Sequence, residues 1–208
     1  TWKYFSQPLD HFSPGVTGEA ASFQQRYCIY DKYFSGQPDA PVLFYTGNES
    51  PVEEYINGTG LMWTLGPKLK GLIVFAEHRY FGESVPKLQG VRNCLAYCTS
   101  QQALADHAML AIHIRATWKV PDAPVIAFGG SYGGMLAAWA RIKYPNVFAG
   151  SIAASAPLWG YPLLDPPVDG ASRSITRAAS AEGGAAASCK TNIFNAYPLM
   201  FDIGKTKE

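Results

Sequence analysis

The sequence lacks any marked excess of charge of one sign. Its 208 residues include 17 Lys and Arg against 16 Asp and Glu, which gives a formal net charge of +1. This balance disfavours a nucleic-acid partner, which requires a basic surface, and electrostatic docking on an acidic membrane. No apolar run approaches the roughly 20 residues that span a bilayer, and the first residues lack the apolar region of a signal peptide. We therefore expect a globular chain that begins after processing or is incomplete.

Cysteine is scarce, and the four residues are Cys28, Cys94, Cys98 and Cys189. Cys94 and Cys98 are close enough to form a disulfide across a loop, but their spacing alone leaves the pairing open. A zinc site is disfavoured because this pair offers only two ligands with no histidine nearby, and no other cofactor is expected. The sequons at Asn48 and Asn57 are candidate glycosylation sites, and they favour an oxidising compartment of the secretory pathway.

Short apolar runs alternate with helical patterns along the chain. Four runs have the length of strands buried on both faces, and they cover residues 41–45, 72–76, 125–128 and 150–154. Apolar spacing predicts a helix from Thr99 to about Trp118 and another over residues 132–144. Residues 24–30 and 41–45, separated by turn-forming residues, are predicted to pair as a hairpin. The alternation predicts an α/β fold, with a mostly parallel sheet covered by helices on both faces.

The composition changes after Pro157. Three prolines interrupt the chain, and residues 171–188 are then dominated by Ala, Ser and Gly, which is typical of a linker or a weak helix. We predict a domain boundary near residue 160, with the α/β core in residues 1–160 and a second domain beginning in residues 161–208.

The most informative motif is Gly129-x-Ser131-x-Gly133, which lies directly between an apolar strand and a helix. This context is the one that the nucleophile elbow of α/β hydrolases requires, so Ser131 is the candidate nucleophile. The backbone N–H of Tyr132, at the start of the helix, is a candidate oxyanion-hole donor. The alternative is a glycine-rich turn that only packs well. A phosphate loop is disfavoured because no Gly-Lys-Ser/Thr follows.

A second oxyanion donor usually comes from the loop after an earlier strand. Gly47 and Asn48 follow the predicted strand 41–45, and glycine permits close backbone approach. The N–H of either residue is therefore a candidate donor. A plain turn after a strand is an equally good interpretation of the spacing.

Longer stretches around these motifs carry a family resemblance. They are GGSYGGML at 129–136 with RIKYP at 141–145, and LDHF at 9–12, FYTGNE at 44–49, EHRYFG at 77–82, QALAD at 102–106 and AASAP at 153–157. From about residue 7 to 160, the chain resembles the serine peptidase family of lysosomal Pro-X carboxypeptidase and dipeptidyl peptidase II. The resemblance implies an α/β-hydrolase core, a helical cap inserted near Ser155, and exopeptidase action beside proline in a lysosomal, vacuolar or extracellular setting. It also implies that Asn48 is a candidate to hold a substrate end, and that Cys189 is a disulfide cysteine of the cap.

The sequence does not complete a catalytic triad in the order that α/β hydrolases use, which is serine, acid, histidine. All four histidines precede Ser131, at His11, His78, His107 and His113. His107 and His113 are interpreted as solvated or hydrogen-bonded residues of the predicted helix. The acids that follow Ser131 lie in the predicted cap, at Asp165, Asp169, Glu182, Asp202 and Glu208. The family pattern implies an acid and a histidine beyond Glu208, so we expect one piece of a longer enzyme, inactive and aggregation-prone alone.

Three functions remain open at this point. The first is a serine exopeptidase of the dipeptidyl peptidase or Pro-X carboxypeptidase type, acting on peptides with proline near one end. The second is an esterase or lipase, because the elbow is shared across the fold. The third is an inactive homologue that only binds partners. The expected partners are peptide substrates, the missing carboxyl-terminal part of the enzyme and a second copy in a homodimer.

Overall fold

The computed structural model of the protein describes residues 1–13, 22–87, 95–158 and 169–205. The chain forms two compact units, Thr1–Pro157 and Leu158–Glu208. In the described part of the chain, no helix has both the length and the apolar character needed to cross a membrane.

The first unit is built on a six-stranded sheet. Its strands are β1 (Trp2–Pro8), β2 (Ser22–Tyr30), β3 (Val42–Tyr45), β4 (Leu72–Ala76), β5 (Val125–Gly130) and β6 (Phe148–Ala154). Their order across the sheet is β1-β2-β4-β3-β5-β6. Strands β4, β3, β5 and β6 are parallel neighbours, whereas β1 and β2 pair antiparallel at one side. The predicted α/β fold with a mostly parallel sheet is confirmed.

The predicted hairpin between residues 24–30 and 41–45 is wrong. β2 pairs with β1 and, in antiparallel register, with β4, where Ile29 lies opposite Val74. β3 instead lies between β4 and β5. The turn-forming residues at 35–39 do separate two strands, but these strands are not neighbours in the sheet. β4, which comes later in the chain, lies between β2 and β3 and is joined to β3 by a crossover connection.

Helices cover both faces of this sheet. They are α1 (Val52–Gly58), α2 (Leu61–Leu69), α3 (Ser100–Thr117) and α4 (Ser131–Lys143). Side chains alternate along each strand, so Val42 and Phe44 pack in a cluster with α3 and α4, whereas Leu43 packs on the other face with α1 and α2. Both long helices agree with the sequence prediction, and α3 starts at the expected cap, where the Thr99 side chain accepts a hydrogen bond from the Gln102 backbone.

The second unit contains α5 (Gly170–Ala178), a single 3₁₀ turn (Ala181–Gly183) and α6 (Cys189–Lys205). The segment interpreted as a linker or weak helix therefore contains α5. Apolar side chains on α6 are exposed within this chain, namely Ile193, Phe194, Tyr197, Leu199, Met200, Phe201 and Ile203.

Three cysteines carry free thiols, namely Cys28, Cys98 and Cys189. Among the described residues, the disulfide expected at Cys189 is therefore absent. Cys94 lies outside the described residues, and because Cys98 is a free thiol, the structure does not show the expected bond between them.

His107, on α3, is fully buried. Its ring packs edge-on against Phe44 with centroids 5.7 Å apart, and no described residue hydrogen-bonds to either ring nitrogen. The interpretation of His107 as a solvated or hydrogen-bonded histidine is therefore wrong. Burial lowers the pKa of His107 from 6.5 to about 3, and the adjacent His78 adds to this effect. Asp106 and the backbone of Thr46 act in the opposite direction and raise the pKa of His107. Thr46 does so without forming a hydrogen bond to either ring nitrogen.

We predict that His107 makes the folded protein less stable in acid. The unfolded chain binds a proton at this residue near pH 6.5, whereas the folded chain does so only near pH 3. The free energy of unfolding therefore falls by up to about 1.4 kcal/mol for each pH unit below 6.5, and the fall ends near the folded pKa. His107→Leu removes the titrating group and should flatten the slope by that amount in urea unfolding at pH 7, 6 and 5. Equal slopes in the two proteins would contradict the prediction.

Candidate active site

Ser131 occupies a sharp turn between strand β5, which ends at Gly130, and helix α4, which begins at Ser131 itself. Its φ is +55°, in the left-handed region that non-glycine residues seldom adopt. Such a conformation costs of the order of 1–3 kcal/mol and persists only where the surrounding structure enforces it. Ser131 is exposed, so the turn presents its hydroxyl to solvent at the carboxyl end of the sheet. This is the geometry of a nucleophile elbow.

Glycines on both sides of Ser131 allow this turn to close. A Cβ atom at Gly129 would lie 2.1 Å from the carbonyl oxygen of Gly133, and one at Gly133 would lie 2.4 Å from the carbonyl oxygen of Gly47. Both distances are far below any normal contact between a carbon and an oxygen. The second contact also shows that the loop after β3 lies directly against the first turn of α4.

Gly133→Ala is predicted to destabilise the protein by about 1–3 kcal/mol, because a methyl group there must displace the backbone of Gly47. Gly130→Ala is the matched control, since a Cβ atom there has nothing within 4 Å and its φ is −118°. Urea unfolding of both variants measures the difference. Equal stability of the two variants would show that the close approach of this loop is not required.

Thr46 and Asn48, in the loop after β3, hold the elbow through side-chain hydrogen bonds. The Thr46 hydroxyl lies 2.8 Å from the Gly133 carbonyl oxygen and 3.2 Å from that of Phe128. The Asn48 amide donates to the carbonyl of Gly130 at 3.0 Å. The structure thus places the predicted residues Gly47 and Asn48 in contact with the residues that flank Ser131.

The geometry of Asn48 weighs against a glycan at this residue. Its side chain is buried, its nitrogen donates to Gly130, and its oxygen accepts from the Glu49 backbone at 2.9 Å. A glycan on that nitrogen would displace the contact with the elbow. Asn57 is exposed near the end of α1, and its glycosylation stays a prediction.

His78 is a residue of the site that the sequence did not connect to Ser131. It follows β4, is almost fully buried, and its Nε2 lies 3.0 Å from the hydroxyl of Tyr132. The only signal in the sequence was its place in the EHRYFG stretch, which gave no indication of its partner 54 residues away.

Arg79 and Asp106 form a buried ion pair behind this site. Both side chains are fully buried, and Arg79 Nε and Nη2 donate to the two carboxylate oxygens of Asp106 at 2.6 and 2.8 Å. Arg79 also donates to the carbonyl of Leu9 at 2.9 Å, and Asp106 lies 2.7 Å from Nε2 of His11. The pair therefore joins the loop after β4, helix α3 and the segment after β1.

All four histidines lie in the described part of the chain, and none of them hydrogen-bonds to Ser131. His78 contacts Tyr132, His11 contacts Asp106, His107 is enclosed in the core, and His113 stacks on Phe5. Within the described residues, the candidate nucleophile Ser131 therefore has no histidine positioned to act as its base.

The acids that follow Ser131 and lie in the described residues form helix-surface ion pairs in the second unit. Asp169 pairs with Arg173, Glu182 with Arg177 and Asp202 with Lys205. Asp165 and Glu208 lie outside the described residues. Within the described ranges, no group of His, Cys, Asp and Glu side chains could hold a metal ion.

Comparison of the sequence with known proteins identifies relatives. Residues 7–165 match the sequence model of the serine carboxypeptidase S28 family. Human lysosomal Pro-X carboxypeptidase is 48% identical over 170 residues, which cover 78% of this chain and 33% of that protein. Mouse thymus-specific serine protease is 36% identical over 156 residues, which cover 74% of this chain and 30% of that protein. The chain thus spans about a third of the length of these curated relatives.

Solved structures share the fold at low sequence identity. The peroxisomal α/β-hydrolase Lpx1 of Saccharomyces cerevisiae matches with a TM-score of 0.52 at 16% identity, covering 80% of this chain and 47% of that chain. Rv0554 from Mycobacterium tuberculosis matches with a TM-score of 0.51 at 18% identity, covering 85% of this chain and 50% of that chain. These likenesses, together with the strand order, show an α/β-hydrolase fold.

Proposed function

Because the chain belongs to the serine carboxypeptidase S28 family, a family of serine peptidases, we propose that it supplies the nucleophile of an exopeptidase that cleaves beside proline. The observation that carries this proposal is Ser131, an exposed serine held at a positive φ on an elbow between β5 and α4. Its substrates are peptides with proline near one end.

In the proposed mechanism, the Ser131 hydroxyl attacks the carbonyl carbon of the scissile bond and forms an acyl-enzyme. The N–H groups of Tyr132 and of Gly47 or Asn48 stabilise the negative charge on the carbonyl oxygen. A histidine base removes the hydroxyl proton and delivers it to the leaving amine, and water then hydrolyses the ester. The contact of the Asn48 amide with Gly130 supports a role for the loop in fixing the elbow. The same loop is also proposed to hold a substrate end.

We place the acid and the histidine of the triad in sequence beyond Glu208. The support is that all four histidines of the chain have other environments, and that the curated relatives are about three times as long as the matched region. The 208-residue chain alone is then inactive, and measurable hydrolysis of a prolyl peptide by this chain would contradict the placement. The residues from 161 onward are proposed to begin the helical cap.

The similarity to human lysosomal Pro-X carboxypeptidase supports our proposal of a lysosomal setting for the chain. A homodimer stays a prediction.

The test uses the full-length protein and two prolyl substrates with opposite free ends. One has a free amino terminus and a reporter after an X-Pro dipeptide, and the other has a blocked amino terminus and proline as its penultimate residue. Cleavage of either one identifies the exopeptidase and its direction. Cleavage of simple esters with neither peptide cleaved would instead support the esterase alternative. Absence of all hydrolysis would support a homologue that only binds partners.

A further inference from the structure

The imidazole of His78 is enclosed between aromatic rings beside the elbow. Its centroid lies 5.4 Å from the ring of Tyr132 and 5.4 Å from that of Phe81. Only 2% of the residue is exposed. Its Nδ1 lies 2.6 Å from the backbone carbonyl oxygen of Arg79, and its Nε2 lies 3.0 Å from the Tyr132 hydroxyl. Each ring nitrogen therefore has one defined hydrogen-bond partner.

These contacts determine the tautomer of the ring. A backbone carbonyl only accepts hydrogen bonds, so Nδ1 carries a proton and donates it. Burial is the main cause that lowers the pKa of His78, and the charge of Arg79 adds to it, whereas the hydrogen bond to the Arg79 carbonyl and the charges of Asp106 and Glu49 oppose it. His107, the other nearby titratable group, is itself neutral because its pKa is about 3. In the neutral ring Nε2 is an acceptor, so the Tyr132 hydroxyl donates to it.

The residue that supports His78 is itself held by hydrogen bonds. The carbonyl that accepts from Nδ1 belongs to Arg79, whose guanidinium is fixed by Asp106 and by the carbonyl of Leu9. The hydrogen-bonded series therefore runs from the Arg79–Asp106 pair through His78 to Tyr132. Tyr132 is the residue that directly follows the strained Ser131.

We propose that His78 is a positioning residue of the active site, whose neutral Nε2 holds the Tyr132 phenol and thereby aims the Tyr132 backbone N–H at the oxyanion. The role rests on the proposed function, because it concerns the same reaction. His78 does not touch the substrate, and it acts by limiting the conformations of the residue next to the nucleophile. Because both ring nitrogens of His78 are hydrogen-bonded, the side chain is suited to hold a turn whose backbone conformation is unfavourable by itself.

The kinetic test compares four variants of the full-length protein with a prolyl peptide substrate. Tyr132→Phe removes the donor, and His78→Asn keeps a donor near the Nδ1 position but no longer reaches Tyr132. Each should lower kcat about tenfold with little change in KM, and the double variant should be no worse than either. His78→Gln places an amide oxygen near the Nε2 position and should restore most of kcat. Additive losses, or an unchanged kcat in Tyr132→Phe, would overturn the proposal.

A second measurement is independent of turnover. Nitrogen NMR of the histidine rings at neutral pH should show His78 protonated at Nδ1 and unprotonated at Nε2, with the Nε2 resonance shifted in Tyr132→Phe. A ring protonated at Nε2, or insensitive to Tyr132→Phe, would overturn the contact whatever the activity. A wild-type protein that shows this tautomer but cleaves no prolyl peptide would instead refute the proposed function, and the positioning role would fall with it.

Discussion

Replacing Ser131 with alanine is expected to lower kcat/KM of the full-length protein toward a prolyl peptide by about 10⁴-fold or more, because the nucleophile is then lost. The fold should remain intact. Serine and alanine both carry a Cβ atom, so the substitution adds no steric conflict at the positive φ of this residue. Steady-state kinetics and urea unfolding of the same preparation separate loss of chemistry from loss of structure.

Ser151→Ala is the matched control for this substitution. Ser151 lies on β6, opposite Ala127 of β5, so the variant removes a hydroxyl from a neighbouring strand. It should retain wild-type kcat/KM. A Ser131→Ala protein that keeps more than a few per cent of wild-type activity would show that another residue is the nucleophile.

Replacing Arg79 with methionine should lower the free energy of unfolding by about 3–5 kcal/mol, since it leaves the carboxylate of Asp106 buried without its guanidinium partner. Carbonyl groups of Leu9 and Tyr97 would also lose a donor. Urea unfolding at neutral pH measures the loss. Because the pair stands behind His78, the variant should reduce activity even at temperatures where it remains folded.

A double variant tests whether the cost comes from an uncompensated charge. Arg79→Met combined with Asp106→Leu removes both charges, so its loss of stability should be smaller than the sum of the two single losses. Arg115→Met, at a half-buried position on the last turn of α3, is the control for loss of an arginine that has no buried carboxylate partner among the ion pairs described. Its effect should stay within about 0.5 kcal/mol. Additive losses at Arg79 and Asp106 would show that the two charges do not depend on each other.

The elbow could be predicted from the sequence because its determinants are local. Gly129, Ser131 and Gly133 lie within five residues where an apolar strand meets a helix, and the structure places them in a sharp turn with Ser131 at its apex. The strands β3, β4 and β5 could be predicted equally well from the sequence, since each contains a continuous apolar run and is largely buried on both faces.

Pairing between distant segments could not be predicted in the same way. β1 has exposed residues along much of its length because it lies at the edge of the sheet, so it carries no continuous apolar signal. The partner of β2 is β4, which arrives more than 40 residues later, rather than the nearer β3. The pairing of His78 with Tyr132 and that of Arg79 with Asp106 likewise depend on the strand order. The sequence motifs identify these residues, but they do not indicate which distant residues they contact.

The buried carboxylate of Glu77 illustrates the same limit. Within the described residues it accepts from the Arg26 guanidinium at 2.6 Å, from the backbone N–H of Val52 and from the hydroxyl of Ser84. These groups come from β2, from the first residue of α1 and from the loop after β4. The sequence showed Glu77 as part of a motif, and only the fold shows that it fixes the loop that carries His78.

Labelling with a serine-directed phosphonate tests the central claim most directly. The full-length protein is treated with the probe, digested, and examined by mass spectrometry for the modified peptide. The account predicts a single stoichiometric adduct on Ser131, formed in parallel with loss of prolyl peptidase activity and absent from Ser131→Ala. An active protein that is labelled at another serine, or inactivated without modification of Ser131, would contradict it.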